Sequence, residues 1–258
     1  MRKVFVAGLL VLGGLFFGKC SFAHHAMEYI EMESYTTARE GEFVFHLHYD
    51  YMVENKDCPG EDHWELTSGL SYGITDRLMV DIHTHFAKFG NALLVEEEQA
   101  NYEPNGPSPF MEAVAFGLQC RVTENSPVDV AVACVYEVPF SRSKDLLDGE
   151  EVYEGILILG RDFRTHSNIS LNLKYGKDGD ETIKEWALGV KVPISDDPHG
   201  IAAGVEFLGC FEDFEDSWSI LPGVYMPLGG ENIIFKTGLE FGKGMESMRA
   251  NTTLMYRF

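Results

Sequence analysis

The chain has 258 residues, 45% of them hydrophobic, and a mean hydropathy of -0.10, which at first reads as a soluble protein. No apolar stretch after the first residues reaches the ~18 needed for a membrane helix. The formal charge of -21, from 41 acids and 20 bases, excludes nucleic acid as a partner, because phosphate recognition needs Lys and Arg.

Arg2 and Lys3 precede an apolar run from Val4 to Phe17, and Ser21-Phe22-Ala23 supplies small residues for cleavage. That pattern predicts a secretory signal peptide over residues 1–23. Losing Arg2, Lys3 and Lys19 moves the mature charge from -21 to -24. Residues 24–42 carry no strand pattern and form a periplasmic N-terminal segment that enters a lumen or caps it. Export permits disulfides. Cys58, Cys120, Cys134 and Cys210 have neither redox nor zinc spacing and read as small wall residues.

From about residue 43 the pattern has period two. Phe45, Leu47, Tyr49 and Tyr51 alternate with His46, His48 and Asp50. Later, Ile169, Leu171, Leu173 and Tyr175 alternate with Asn168, Ser170, Asn172 and Lys174. At the end, Leu254, Tyr256 and Phe258 alternate with Thr253 and Arg257. Twelve strands follow: 43–52, 63–74, 77–88, 108–122, 128–139, 152–163, 165–176, 182–194, 200–211, 217–228, 231–242 and 247–258. Strand four breaks the pattern, since Glu112 shares parity with Phe116 and Leu118, and strand six alternates poorly. Connections after even strands are short, and most of those after odd strands are longer. This predicts an all-β fold over residues 43–258: a 12-stranded antiparallel up-and-down transmembrane β-barrel. A closed sheet satisfies every backbone polar group in lipid. The alternative is a soluble secreted β-sandwich, which explains alternation but not the terminal Phe258 or the short-long connections.

Tyr72-Gly73-Ile74-Thr75-Asp76-Arg77-Leu78 is read as a strand, a turn at Thr75-Asp76, and re-entry at Arg77-Leu78. The phrase resembles a recurrent turn in the outer-membrane family named for the MetA pathway of phenol degradation. That resemblance implies a barrel transporter for small molecules, aromatic ones included, with no catalytic residues. The C-terminal Phe258 resembles the signature by which barrel-insertion machinery recognises its clients.

Seven of nine histidines fall in the first 85 residues. On one face lie His46, His48 and Asp50, then His63 and Glu65, then Asp81, His83 and His85. Symmetric hairpins would set Asp50, Glu65 and His85 side by side, and His48, Thr67 and His83 in the next row. With Asn172, Lys174, Arg249 and Arg257, these residues are the candidate lining of a solute path. Carboxylate and imidazole at strand spacing can hold a divalent cation, so His48, Asp50, Glu65, His83 and His85 are metal candidates. His24 and His25 beside a free amine are a separate one.

An outer-membrane phospholipase is the enzymatic alternative. His166 and Ser167 are adjacent, so in a strand they face opposite ways and cannot act as base and nucleophile. The expectation is therefore a non-enzymatic channel in the bacterial outer membrane, passing small solutes or cations passively. No cofactor is expected, and a divalent metal enters only as cargo. Lipid and lipopolysaccharide are the expected surroundings, with acidic outer loops at 96–98 and 212–216. A closed structural or adhesion barrel is the other reading.

Overall fold

Twelve stretches of alternating sequence become twelve strands in the computed structural model. It describes residues 29–53, 63–89, 110–140, 150–163, 165–195, 197, 200–212, 217–228, 232–242 and 247–258. The strands are β1 (Phe43–Val53), β2 (His63–Thr75), β3 (Leu78–Phe89), β4 (Phe110–Arg121), β5 (Asp129–Pro139) and β6 (Val152–Asp162). They continue as β7 (Asn168–Asp178), β8 (Glu181–Pro193), β9 (Ala202–Cys210), β10 (Trp218–Pro227), β11 (Ile233–Gly242) and β12 (Met248–Arg257). Each pairs antiparallel with its neighbours in sequence, and β1 pairs with β12, so the sheet is a closed barrel. The seam runs from Val44 opposite Arg257 to Val53 opposite Met248. Phe43 and Phe258 finish it by exchanging both backbone hydrogen bonds at 3.0 Å. All twelve expected strands are present, with ends shifted by a few residues.

The outer face is apolar. Phe45, Tyr49, Leu70, Ile82, Phe116, Leu118, Val132, Leu157, Val190 and Leu239 are all exposed large hydrophobics. So continuous an apolar belt is untenable in water and suits hydrocarbon. Aromatics gather toward both rims. Phe43 lies 4.6 Å from Tyr72 and 5.7 Å from Phe258, ring centre to ring centre, at the short-turn end. Tyr136 and Tyr153 stack at 4.7 Å nearer the long-loop end. Cys120 and Cys134 share the outward parity of Leu118 and Val132, Cys210 faces the lumen, and all three are free thiols. Cys58 lies outside the described residues, as do the expected signal segment 1–23, His24, His25 and most of both acidic loops.

Two local departures have physical causes. The β2–β3 turn is Asp76-Arg77, not Thr75-Asp76, and an irregularity falls between Gly73 and Thr75. The register therefore moves by two residues: Thr67, not Glu65, lies opposite His85, and Gly69 lies opposite His83. Asp50 does face Glu65 across β1–β2. On β4, His85 pairs with Ala113 while Phe86 pairs with Met111, leaving Glu112 as an extra residue. Such a bulge lets Ala113, Ala115 and Gln119 face inward although Met111 faces out.

Candidate functional site

A barrel interior in this class is polar, yet Ile156, Ile158, Leu221, Tyr225 and Met255 are buried inside the wall. They are covered by the chain's own N-terminal segment. Residues 29–42 enter at the short-turn end, beside Phe43, and follow the inside of the wall. Thr37 Oγ1 donates to Asp76 O at 2.8 Å, and Ala38 packs with Val44, Ile234 and Met255. Gln119 Nε2 donates to Ser34 O at 2.7 Å and Thr36 O at 3.1 Å. The Tyr35 ring packs on Ala131, Ile156 and Ile158, and its hydroxyl donates to Asp162 Oδ2 at 2.5 Å. Farther round, Tyr29, Ile30 and Met32 pack on Ala202, Leu221 and Tyr225. The segment thus fills the lumen's short-turn half.

Its anchor is Glu206 on β9, which has no exposed surface. Oε1 accepts the Ile30 amide at 2.7 Å and the Tyr225 hydroxyl at 3.0 Å. Oε2 accepts the Glu31 amide at 3.0 Å and the Met32 amide at 3.1 Å. One carboxylate therefore meets three main-chain donors that would otherwise be stranded in a buried place. Lys236 Nζ donates to Tyr29 O at 2.8 Å, and the Lys191 ammonium lies 5.6 Å from the Tyr29 ring centre. The Tyr29 hydroxyl sits 2.5 Å from Asn168 Oδ1 and 3.1 Å from Gly189 O. Burial, then the nearby carboxylates, push the Tyr29 and Tyr35 phenols up, so both stay donors at ordinary pH. Two glycines make the close approach possible. A Cβ on Gly160 would stand 2.0 Å from Tyr35 Cδ1, and one on Gly189 would stand 2.4 Å from Tyr29 Cε1.

Above the segment lies a vestibule of about 930 Å³, reaching Ser217, Gly242 and Ser247 at the long-loop end. Glu31, Met32 and Glu33 form its floor. Seven carboxylates line it, Glu137, Glu154, Glu185 and Glu240 among them, against Lys174 and Arg249. Lys174 Nζ is held 3.5 Å from Glu154 and 3.2 Å from Glu185, and Arg249 Nε lies 3.9 Å from Glu240. The excess of acid makes the vestibule attractive to cations.

The histidine face points inward but divides into separate pairings. His46 Nε2 meets Ser71 Oγ at 3.0 Å, and its ring lies 6.0 Å from that of His83. His83 Nε2 lies 3.0 Å from Asp81 Oδ1, and His85 Nε2 lies 3.6 Å from Glu137. His63 Nε2 lies 3.6 Å from Glu65 Oε1. His48 is brought to two carboxylates at once. Its Nε2 is 2.8 Å from Asp50 Oδ2 and 3.4 Å from Oε1 of Glu31 on the inserted segment. Burial raises the Glu31 carboxyl, but the His48 hydrogen bond and the charges of His48, Arg249 and Lys174 outweigh it and hold it below its ordinary value. Asn172 is buried in the wall, and Arg257 lies beside the seam opposite Val44. The sequence reading missed Glu31 and Glu206. The signal that could have found the seat was apolar residues on the polar face, such as Ile156, Ile158 and Leu221.

His166 and Ser167 occupy the turn between β6 and β7, where His166 has φ of 59° and Ser167 Oγ accepts from Thr165 Oγ1 at 3.1 Å. Asn168 is committed to Asp162 and Tyr29. Ser167 and Asn168 are therefore engaged in the turn and with the inserted segment.

No protein-family profile and no curated protein sequence matches the chain. Solved structures do match in shape. The COG4313 outer membrane channel from Pseudomonas putida F1 aligns with a TM-score of 0.57 at 10% identity, over 89% of this chain and all of that one. The KdgM porin aligns at 0.53 and 10% identity, over 83% of this chain and 99% of the porin. The NanC porin aligns at 0.53 and 9% identity, over 82% and 98%. The chain has the fold of twelve-stranded outer-membrane barrels.

Proposed function

We propose that this chain is a passive outer-membrane channel for small cations and neutral solutes, gated by its own N-terminal segment. The observation that carries the reading is an acidic vestibule, reaching Ser217, Gly242 and Ser247 toward the long-loop end, that ends on a segment seated by hydrogen bonds and not by covalent links. The apolar belt and the likeness in shape to outer-membrane channels support the location. Lipid and lipopolysaccharide would surround the belt, and Phe258 at the seam would be the residue that insertion machinery reads. The vestibule carboxylates favour cations by Coulomb attraction, and Trp186 and Trp218 among the lining residues suit organic cations with an apolar or aromatic part. Divalent metal ions belong to the same class of cargo.

Planar-bilayer recording tests this. The full chain should be closed or flicker briefly, and a chain lacking residues 24–38 should conduct steadily with cation preference. No conductance from either chain would sink the channel reading and leave a closed structural barrel.

A further inference from the structure

We infer that Glu31, His48 and Asp50 form a binding site for a divalent transition-metal ion of the Zn²⁺ class, at the joint between the N-terminal segment and the wall. This goes beyond solute passage: the ion resides at the joint and fastens the segment.

The geometry comes first. One ligand atom from each of the three residues lies within 4.8 Å of the others. Two ligands bound tetrahedrally at about 2.05 Å stand about 3.3 Å apart. The separations of 2.8 and 3.4 Å from His48 Nε2 to the two carboxylates bracket that value. One imidazole nitrogen with two carboxylates is an intermediate donor set that suits zinc better than calcium or magnesium.

The surroundings fit a ligating histidine. His48 Nδ1 lies 2.6 Å from Thr253 Oγ1. Such a bond on the far nitrogen fixes the ring with Nε2 turned toward the two carboxylates, as a metal-ligating imidazole requires. Asn251, wholly buried, lies against both carboxylates. With its nitrogen turned toward them it donates to Glu31 Oε1 at 3.1 Å and to Asp50 Oδ1. Glu31 also lines the vestibule floor, so the site borders the cavity.

The site spans two parts of the molecule. His48 and Asp50 belong to β1, while Glu31 belongs to the inserted segment. Bound metal would therefore hold the segment in place.

Calorimetry of the refolded full mature chain with Zn²⁺ tests the site without requiring conduction. One ion per chain should bind more tightly than ~100 µM. Glu31→Gln, outside every strand and so harmless to barrel insertion, should abolish that binding, as should His48→Gln. Thr253→Val should weaken it by about 10–100-fold. Changing His24 and His25 to Gln should leave it intact. Zinc should also slow amide exchange across residues 29–38, and not in Glu31→Gln. The inference is overturned if the mature chain binds no zinc in that range, if Glu31→Gln binds as tightly, or if losing His24 and His25 removes the site.

Discussion

Glu206 holds the amide of Ile30 at 2.7 Å across 176 positions of sequence, with no solvent between them. The same carboxylate takes the next two amides of the segment. A truncation would strand those donors at about 1–3 kcal/mol each. Glu206→Ala should therefore raise the open probability in bilayers by at least about tenfold, the equivalent of 1.4 kcal/mol. Glu206→Gln should open nearly as much, because its NH₂ would face amide donors. An open probability equal to wild type in both variants would disprove the anchoring role.

The wall's glycines give a second handle. Replacing Gly189 with Val puts methyl groups where Tyr29 and Met32 now sit. Overpacking of that kind costs about 1–3 kcal/mol. The strain falls on the segment, because the wall's hydrogen bonds do not involve the side chain. Gly189→Val should insert normally and conduct more than wild type, and faster proteolysis within residues 29–38 would report the same release.

Tyr35 makes a pH prediction. Burial, then Asp162, raise its phenol above the ordinary value of about 10. A group raised in the docked state contributes fully below its ordinary value and loses that contribution progressively as pH climbs from there to the raised value. This contribution should be flat from neutral pH to about pH 9.5. Tyr35→Phe loses a hydrogen bond to a carboxylate, worth about 1.5–3 kcal/mol, and should open the channel to a similar degree across that window. Amide exchange of residues 29–38 measures both statements.

Charge selectivity should reside in the vestibule. Changing Glu137, Glu154 and Glu185 to Gln in a chain lacking residues 24–38 removes three acids and both carboxylates that hold Lys174. The reversal potential in a salt gradient should move from cation preference toward anion preference. An unchanged potential would place selectivity elsewhere.

The strands were legible because an apolar outer face and a polar inner one impose alternation on most of them. The β2–β3 register was not, since the turn falls at Asp76-Arg77 and an irregularity lies near Gly73, so that Glu65 faces Ala87. That shift separates Glu65 from His85, so the expected metal row never forms. The actual metal candidate depends on Glu31, in a segment without any repeating pattern. Ile156 and Ile158 made strand six alternate poorly for a reason that now has a structure: they seat Tyr35. Glu112 broke parity because it is the bulge residue on β4.

The reciprocal bonds between Phe43 and Phe258 have a consequence for biogenesis. The inserted segment is made before any strand, yet its seat includes β1 and runs from β3 to β12, and its entrance adjoins the closing seam. It can settle only after nearly the whole wall has been assembled. The first residues of this stretch to leave the ribosome are thus the last to find their place, and release of the segment would repeat that final step in reverse.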